Sequence, residues 1–154
     1  PDIMTLAKAL GNGVPIGAMG CTEVVAKGFS PGSHGCTFGG NPLSSAAAVA
    51  TLQTLLAPGF MERAAEGGAY LRAKLEEISA KCDSAIEVRG KGLMLAVEFN
   101  QPTAPLLGAM AHSGIICGPA GPNVLRLLPP LIVTHAEIDQ AVTILANCLE
   151  ELQW

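Results

Sequence analysis

Glycine punctuates the first 40 residues of the chain so closely that only short regular elements fit between the glycines. Short apolar runs alternate with glycine, and the segment Gly11-Asn-Gly13 separates the first two of them. Such a pattern is typical of short strands joined by tight turns, and it predicts strands near residues 3–7 and 16–21. A glycine-rich loop is then predicted from Gly28 to Pro42, and loops of this length are often functional.

The pattern changes at Asn41-Pro42, where an N-cap residue precedes a proline that suits the first helical position. Apolar residues then continue at helical spacing until Pro58-Gly59 ends this first helix. A second, amphipathic helix is predicted over residues 59–81, because an apolar stripe alternates there with charged side chains. The break at Pro58 is therefore the predicted boundary between two structural units, residues 1–58 and residues 59–154.

The second unit alternates strands with helices, which is typical of an α/β fold. The pattern predicts strands near residues 86–88, 93–99, 115–117 and 124–128, a short helix near residues 103–113 and a final helix after Thr134. Glu137 lies three residues after Thr134, and this spacing is typical of a capping box. The segment from Arg89 to Gly92 is interpreted as the turn between the first two of these strands.

Composition narrows the class of protein. The chain has 154 residues, of which 14% are charged, and its net charge of −4 gives no electrostatic basis for binding nucleic acid or an anionic membrane surface. No apolar stretch is long enough to span a membrane. The five cysteines form no CxxC pair, so we predict neither a disulfide framework nor a metal site, and we expect a reducing cytoplasm. Because no methionine precedes Pro1, we expect a fragment or a processed product.

Lys8 is the one charged residue in the apolar segment from Thr5 to Met19. On general grounds such a lysine lays its stem on apolar surface and extends its amine to water. The alternative is a desolvated amine, whose lowered pKa makes it a nucleophile towards a carbonyl group. The residues alone leave both interpretations open.

Four segments resemble the class III aminotransferases, enzymes that use pyridoxal phosphate, and they occur in that family's order over the whole chain. The segments are Leu6-Ala-Lys-Ala-Leu-Gly-Asn-Gly-Val-Pro-Ile-Gly-Ala-Met19, Gly32-Ser-His-Gly-Cys-Thr-Phe-Gly-Gly-Asn-Pro-Leu43, Val88-Arg-Gly-Lys-Gly-Leu-Met94 and Val124-Leu-Arg-Leu-Leu-Pro-Pro-Leu131. One such motif alone would be weak, whereas four in order are specific. The first two segments are most similar to the acetylornithine branch of the family.

The resemblance implies roles for four residues. Lys8 is expected to bind the cofactor covalently and then to act as general base and acid. Thr37 is expected to bind the cofactor phosphate of a neighbouring subunit, because a hydroxyl beside backbone N–H groups suits a phosphate. Cys36, where the family usually has serine, is expected to contact the substrate. Arg126 is expected to clamp the substrate α-carboxylate with its planar guanidinium.

Each of these residues also has a plain structural interpretation. Thr37 alone reads as an ordinary loop threonine, and Cys36 alone as a small, semi-buried residue that fills space. Arg126 lies in an apolar strand, so a buried or semi-buried guanidinium that forms a structural salt bridge is the alternative to substrate binding. His34, His112 and His135 are assigned no chemistry.

The resemblance also implies an architecture, namely the C-terminal part of a fold-type I pyridoxal-phosphate-dependent transferase. Residues 1–58 would form the end of the large cofactor-binding domain, and residues 59–154 would form the small C-terminal domain. Because Thr37 is expected to act across a subunit interface, a homodimer with shared active sites is implied. Several cofactor-binding parts of the family lie upstream of the lysine, so the chain alone is expected to be inactive.

The implied reaction moves the δ-amino group of N-acetylornithine to 2-oxoglutarate with pyridoxal phosphate, in arginine biosynthesis. Alternative amino donors are succinylornithine, ornithine, a lysine-pathway intermediate and 4-aminobutyrate. An alternative of a different class is a non-catalytic remnant or dimerisation module, whose apolar surface would drive self-association.

Overall fold

The computed structural model describes residues 1–154. The chain divides into two compact units, Pro1–Phe60 and Met61–Trp154. We call them unit 1 and unit 2. Their assignment to the large and small domains of an aminotransferase, with the boundary at Pro58, remains a prediction.

Unit 1 contains one antiparallel hairpin and two helices. Strand β1 (Ile3–Leu6) pairs with strand β2 (Ala18–Cys21), and a single 3₁₀ turn, Lys8–Leu10, follows β1. Helix α1 is the short segment Glu23–Ala26, and helix α2 is Pro42–Leu55. The predicted loop between residues 28 and 42 is confirmed, because no helix or strand lies between α1 and α2.

Unit 1 buries very little of itself. Both strands of its hairpin are exposed along their whole length, and its buried residues are Gly11, Ser44 and Ala48. A two-stranded hairpin is at best marginally stable without packing against other elements. The apolar side chains of this unit, such as Leu43 and Val49 of α2, are therefore open to contact with other protein.

Unit 2 consists of three helices and one four-stranded sheet. Its elements are α3 (Phe60–Ser79, the first residue of which ends unit 1), β3 (Ala85–Lys91), β4 (Met94–Phe99), α4 (Ala104–His112), β5 (Gly118–Pro119), β6 (Val124–Leu127) and α5 (His135–Glu151). The strand order is β3-β4-β6-β5, and every neighbouring pair is antiparallel.

Two sequence-based details of this sheet are wrong. Arg89 to Lys91 belong to strand β3, so the turn to β4 is only Gly92-Leu93. The glycines misled the prediction, because a glycine inside a strand looks like a turn residue in the sequence. The short strand predicted at 115–117 is found instead at Gly118–Pro119.

One face of the sheet packs against the helices and forms the core. Leu95, Val97 and Phe99 of β4 are almost fully buried and alternate with residues of the other face. They pack with buried residues of the helices, which include Leu71, Leu75, Leu106, Ile138 and Leu145. We call the opposite face, which carries Ala96, Glu98 and Arg126, the outer face.

Both N-terminal helix caps that the sequence predicted are confirmed. Asn41 caps α2, since its side chain accepts a hydrogen bond from the Ser44 N–H at 3.0 Å and Pro42 is the first helical residue. Thr134 and Glu137 form the capping box of α5. Such caps satisfy N–H groups that have no partner within the first helical turn.

No helix by itself combines the length and apolarity that crossing a membrane requires, although α2 and α3 taken together pass that test by length and composition.

Candidate active site

Lys8 begins the 3₁₀ turn after β1, in a backbone conformation that is unusual for a lysine. Its φ is +52°, in the left-handed region that residues other than glycine seldom adopt. Its carbonyl oxygen accepts a hydrogen bond from the Gly11 N–H at 3.3 Å, which closes the turn after the strand. Conformations of this kind cost about 1–3 kcal/mol and concentrate at functional sites.

The Lys8 side chain is exposed, and its ammonium group takes part in no hydrogen bond or ion pair within the chain. The sequence left open whether the amine is desolvated, and none of this chain's own residues bury it. The Lys8 amine is therefore accessible to a small molecule, and residues of this chain do not supply the desolvation that would make it a nucleophile.

Cys36 and Thr37 lie in the loop between α1 and α2, and both are exposed. The Gly39 N–H donates to the Cys36 carbonyl at 3.2 Å, so the four residues from Cys36 to Gly39 form a tight turn. The Thr37 hydroxyl has no hydrogen-bond partner in the chain. Cys36 is thus not the semi-buried residue that its plain interpretation expected, because no other element of unit 1 covers this loop.

A short chain of hydrogen bonds ties this loop to the segment that carries Lys8. The Asn41 amide donates to the Phe38 carbonyl at 2.9 Å and to the Ser44 hydroxyl at 3.1 Å. The Ser44 hydroxyl in turn donates to the Pro15 carbonyl at 3.0 Å. Ser44 is buried, so its hydroxyl needs such a partner.

Sequence reasoning missed this role of Ser44. The sequence feature that could have indicated this role is a polar residue in the first turn of an otherwise apolar helix. A side chain at that position can form hydrogen bonds both with the N-cap residue and with a neighbouring segment. Through Asn41 and Ser44, unit 1 places the Thr37 loop beside the Gly11–Gly17 segment that follows Lys8.

Arg126 lies in the middle of β6, between the buried residues Leu125 and Leu127. It is exposed and has neither a hydrogen bond nor a salt bridge in the chain. The expected burial of this guanidinium is therefore wrong for the described chain. The outer face of the sheet, on which Arg126 lies, is not covered by the helices of unit 2.

The neighbours of Arg126 in the sheet are small. Ala96 of β4 is paired with it on one side, and Gly118 of β5 on the other. The guanidinium lies against Gly118, since a Cβ atom built there would come within 3.1 Å of the Arg126 Nη2 atom. Glycine thus provides the space that the guanidinium occupies.

The carboxylates of the outer face are held by a different arginine. Arg89 of β3 is paired with Ala96 on the side opposite Arg126. Its Nη1 atom donates a hydrogen bond to Glu98 and forms an ion pair of 3.1 Å with Glu87. The hydrogen bond that Arg89 donates to Glu98 is the main reason that the pKa of Arg89 is raised above its ordinary value.

The structure thus brings three of the four expected residues into unit 1, where hydrogen bonds link the loop of Cys36 and Thr37 to the Lys8 segment. Arg126 belongs to unit 2. Each of the four has a reactive or polar group without a partner in the chain. The Lys8 amine and the Thr37 hydroxyl of unit 1 have the chemistry to bind a carbonyl and a phosphate. The Arg126 guanidinium of unit 2 has the chemistry to bind a carboxylate.

Comparison with known families identifies the class of protein. Residues 1–149 match the family model described as aminotransferase class-III. The match covers nearly the whole chain, and the chain belongs to this family. The resemblance read from the four sequence motifs is therefore confirmed.

Relatives at the sequence level include acetylornithine aminotransferases. The chain is 47% identical to the enzyme of Listeria innocua over 151 residues, which cover 98% of the chain and 39% of that relative. It is 48% identical to the Bacillus subtilis enzyme, with 97% of the chain and 38% of the relative covered. The chain therefore spans about two fifths of the length of the curated relatives it matches.

Solved structures agree with this result. An acetylornithine aminotransferase from Elizabethkingia anophelis matches 98% of the chain and 41% of its own, with a TM-score of 0.89 and 35% identity. An ornithine aminotransferase from Toxoplasma gondii matches 99% and 37%, with a TM-score of 0.91 and 34% identity. These matches confirm the predicted fold, a mixed helix-and-sheet part of an aminotransferase.

The described residues fit the cofactor of this family. Pyridoxal phosphate, which is named at the active site of the Toxoplasma gondii structure, carries an aldehyde and a phosphate. The Lys8 amine has no ion-pair partner that would compete with an aldehyde. The Thr37 hydroxyl is exposed and has no hydrogen-bond partner in the chain, so it is able to donate to a phosphate.

Proposed function

We propose that the chain is the C-terminal portion of a pyridoxal-phosphate-dependent aminotransferase that moves the δ-amino group of N-acetylornithine to 2-oxoglutarate. The observation that carries the proposal is the family match over residues 1–149 combined with the free amine of Lys8 at the position of the cofactor-lysine motif. The acetylornithine aminotransferases among its relatives support the choice of amino donor.

In this proposal each residue has one task. Pyridoxal phosphate, when bound, supplies the electron sink of the reaction. Lys8 binds the cofactor through its amine and, once released, holds and moves the proton at the carbon that carries the amino group. Thr37 donates a hydrogen bond to the phosphate of the neighbouring subunit's cofactor. Cys36 contacts the substrate as a weaker donor than serine, and Arg126 binds the α-carboxylate.

The proposal extends to the whole protein. We propose a cytoplasmic homodimer with shared active sites that acts in arginine biosynthesis. The exposed apolar residues of unit 1 support a further protein surface beside it. We propose that residues 1–154 alone do not transaminate, because the remaining three fifths of the relatives' length has no counterpart in them.

A second candidate function is a non-catalytic module that uses the same apolar surface to associate with another copy. The sparse burial of unit 1 favours it, since only Gly11, Ser44 and Ala48 are buried there. Within the first candidate, succinylornithine, ornithine and 4-aminobutyrate remain alternative amino donors. The ornithine aminotransferases among the structural neighbours support ornithine.

The test is a titration of the chain with pyridoxal phosphate, followed by borohydride reduction and mapping of the adduct by mass spectrometry. We expect one adduct at Lys8, which is absent from a Lys8→Ala variant and retained in a Lys27→Ala variant. Lys27 is the matched control, because it is also an exposed lysine of unit 1. Labelling spread evenly over all lysines, or no adduct, would support the non-catalytic module.

The amino donor requires a separate measurement on the longest form of the protein that is expressed. We expect kcat/KM for N-acetylornithine to exceed that for ornithine, succinylornithine and 4-aminobutyrate, with 2-oxoglutarate as acceptor. A preference for another donor would correct the substrate while leaving the reaction class in place.

A further inference from the structure

We infer that Arg89 is a positioning residue for substrate binding, because it holds Glu98 and thereby leaves the guanidinium of Arg126 free for a carboxylate. This inference rests on the proposed function, in which Arg126 binds the α-carboxylate of the substrate. It assigns Arg89 a purpose different from the turn-forming role that the sequence suggested.

The geometry of the sheet makes both arginines neighbours of the same carboxylate. Ala96 is paired with Arg89 on one side and with Arg126 on the other. Glu98 lies two residues along β4 from Ala96, so it is on the same outer face and diagonal to both arginines. Diagonal neighbours in a sheet are about 7–8 Å apart, which long side chains can bridge.

Of the two arginines, only Arg89 forms an ion pair with the Glu98 carboxylate. Arg89 binds Glu98 and also Glu87 through its Nη1 atom, whereas Arg126 forms no ion pair. The side chains of Arg89 and Glu98 are 42% and 35% exposed. An exposed ion pair of this kind contributes little to the free energy of unfolding. Its main effect is therefore to fix the position of the Glu98 side chain.

The position of the Arg126 guanidinium is independent support. It lies against Gly118 of β5, with its Nη2 atom 3.1 Å from the place of a Cβ atom there. Strand β5 is on the side of β6 away from β4. The guanidinium is therefore directed away from Glu98, into space that the missing side chain of Gly118 leaves open.

Removal of Arg89 would release Glu98 to compete with the substrate. A free carboxylate diagonal to Arg126 would form an intramolecular ion pair that each substrate molecule must displace. Exposed ion pairs are weak, so we expect KM for the carboxylate substrate to rise about 2- to 5-fold in an Arg89→Gln variant. We expect kcat to be unchanged, because the competition acts on binding.

The experiment measures KM and kcat, together with the calorimetric Kd for 2-oxoglutarate, in the longest expressed form of the protein. The decisive variant is Arg89→Gln combined with Glu98→Gln. If Arg89 acts by holding Glu98, the double variant regains the original KM and Kd, and Arg89→Lys retains most of the original affinity. Failure of the double variant to regain them would overturn the inference.

One control, Arg126→Gln, separates this inference from the proposed function. Arg126→Gln should raise KM by about tenfold or more, since it removes the proposed carboxylate ligand itself. If Arg126→Gln has this effect and Arg89→Gln has none, the inference is wrong and the proposed function stands. If Arg126→Gln has no effect, the proposed role of Arg126 and the inference both fail.

Lys81→Gln is the matched control for the loss of a surface ion pair. Lys81 lies two residues after the end of α3 and pairs with Glu77 of that helix at 3.0 Å, and both side chains are exposed. We expect the Lys81→Gln variant to have the same KM as the parent protein. A rise in KM equal to that of Arg89→Gln would show a general effect of charge and would overturn the inference.

Discussion

The carboxylate of Glu137 shows how a single residue links the stability of unit 2 to pH. It accepts hydrogen bonds from the Thr134 backbone N–H and from the Thr134 hydroxyl, both at 2.8 Å. The backbone hydrogen bond is the main reason that the pKa of Glu137 is lowered from its ordinary value. The ionised form is therefore favoured in the folded state.

A lowered folded-state pKa fixes the sign of the pH dependence. The stabilisation is complete above the ordinary carboxyl pKa of about 4.3 and is lost as the pH falls through the lower folded-state value. We predict that Glu137→Gln lowers the melting temperature at pH 7 and that the difference from the parent chain shrinks towards pH 3. Thermal unfolding followed by circular dichroism at several pH values checks this. A difference that does not change with pH would contradict it.

For single residues, the sequence predicted local hydrogen bonding better than it predicted the burial of side chains. The capping pair Thr134 and Glu137 follows from local spacing alone and was predicted correctly. The exposure of Arg126 was not predictable, because it depends on which face of β6 meets the helices and on what covers the other face. The assignment of Lys8, Thr37, Cys36 and Arg126 to chemical roles remains a prediction.

Helix α3 contains two adjacent buried glycines, and they differ in how closely other atoms of the chain approach them. A Cβ atom at Gly68 would lie 2.5 Å from the carbonyl carbon of Gly92, whereas one at Gly67 would meet only the Leu93 Cδ2 atom at 3.9 Å. The first contact is with backbone and cannot relax by a side-chain rotation. Gly68 is therefore required for the close approach of α3 to the β3–β4 turn.

These contacts predict opposite effects of the same substitution. Gly67→Ala should stabilise the chain by about 0.5–1 kcal/mol, because alanine is the better helix former and has room. Gly68→Ala should destabilise it by about 1–3 kcal/mol, as overpacking does. Urea unfolding of the two variants provides the measurement. Equal effects of both substitutions would show that the contact with Gly92 is unimportant.

At the level of elements, the limits of the longer helices were predicted more accurately from the sequence than the limits of the strands. Asn41-Pro42 and the break at Pro58-Gly59 predicted α2 and α3 to within two residues at each end. The predicted extent of β3 was wrong, because Gly90 looks like a turn residue in the sequence. In the structure Gly90 lies inside the strand with a φ of +133°. Pairing with β4 keeps it in the sheet.

The two units differ in how much of the chain they bury. Unit 2 contains the whole of the connected core, whereas unit 1 buries three residues. Regions with few buried contacts open at low free energy, and proteases cleave the opened state. Resistance to proteolysis should therefore differ between the units.

We predict that thermolysin cleaves residues 1–154 first within unit 1, above all in the loop that carries Cys36 and Thr37. A fragment that begins near Met61 and ends at Trp154 should persist, and mass spectrometry of the time course identifies it. In urea both units should be cleaved at similar rates. First cuts inside Met61–Trp154 under native conditions would refute this difference between the units.

The arrangement of charges around Arg89 has a consequence for how the sequence can change over evolutionary time. Glu87 and Glu98 are directly opposite each other in the sheet, and like charges in that position repel. Arg89 binds both, so its loss would leave two carboxylates facing each other. A lineage that replaces Glu98 first can lose Arg89 afterwards at little cost, whereas the reverse order passes through a less fit intermediate. Ancestral substitutions at these three positions should therefore be ordered in time.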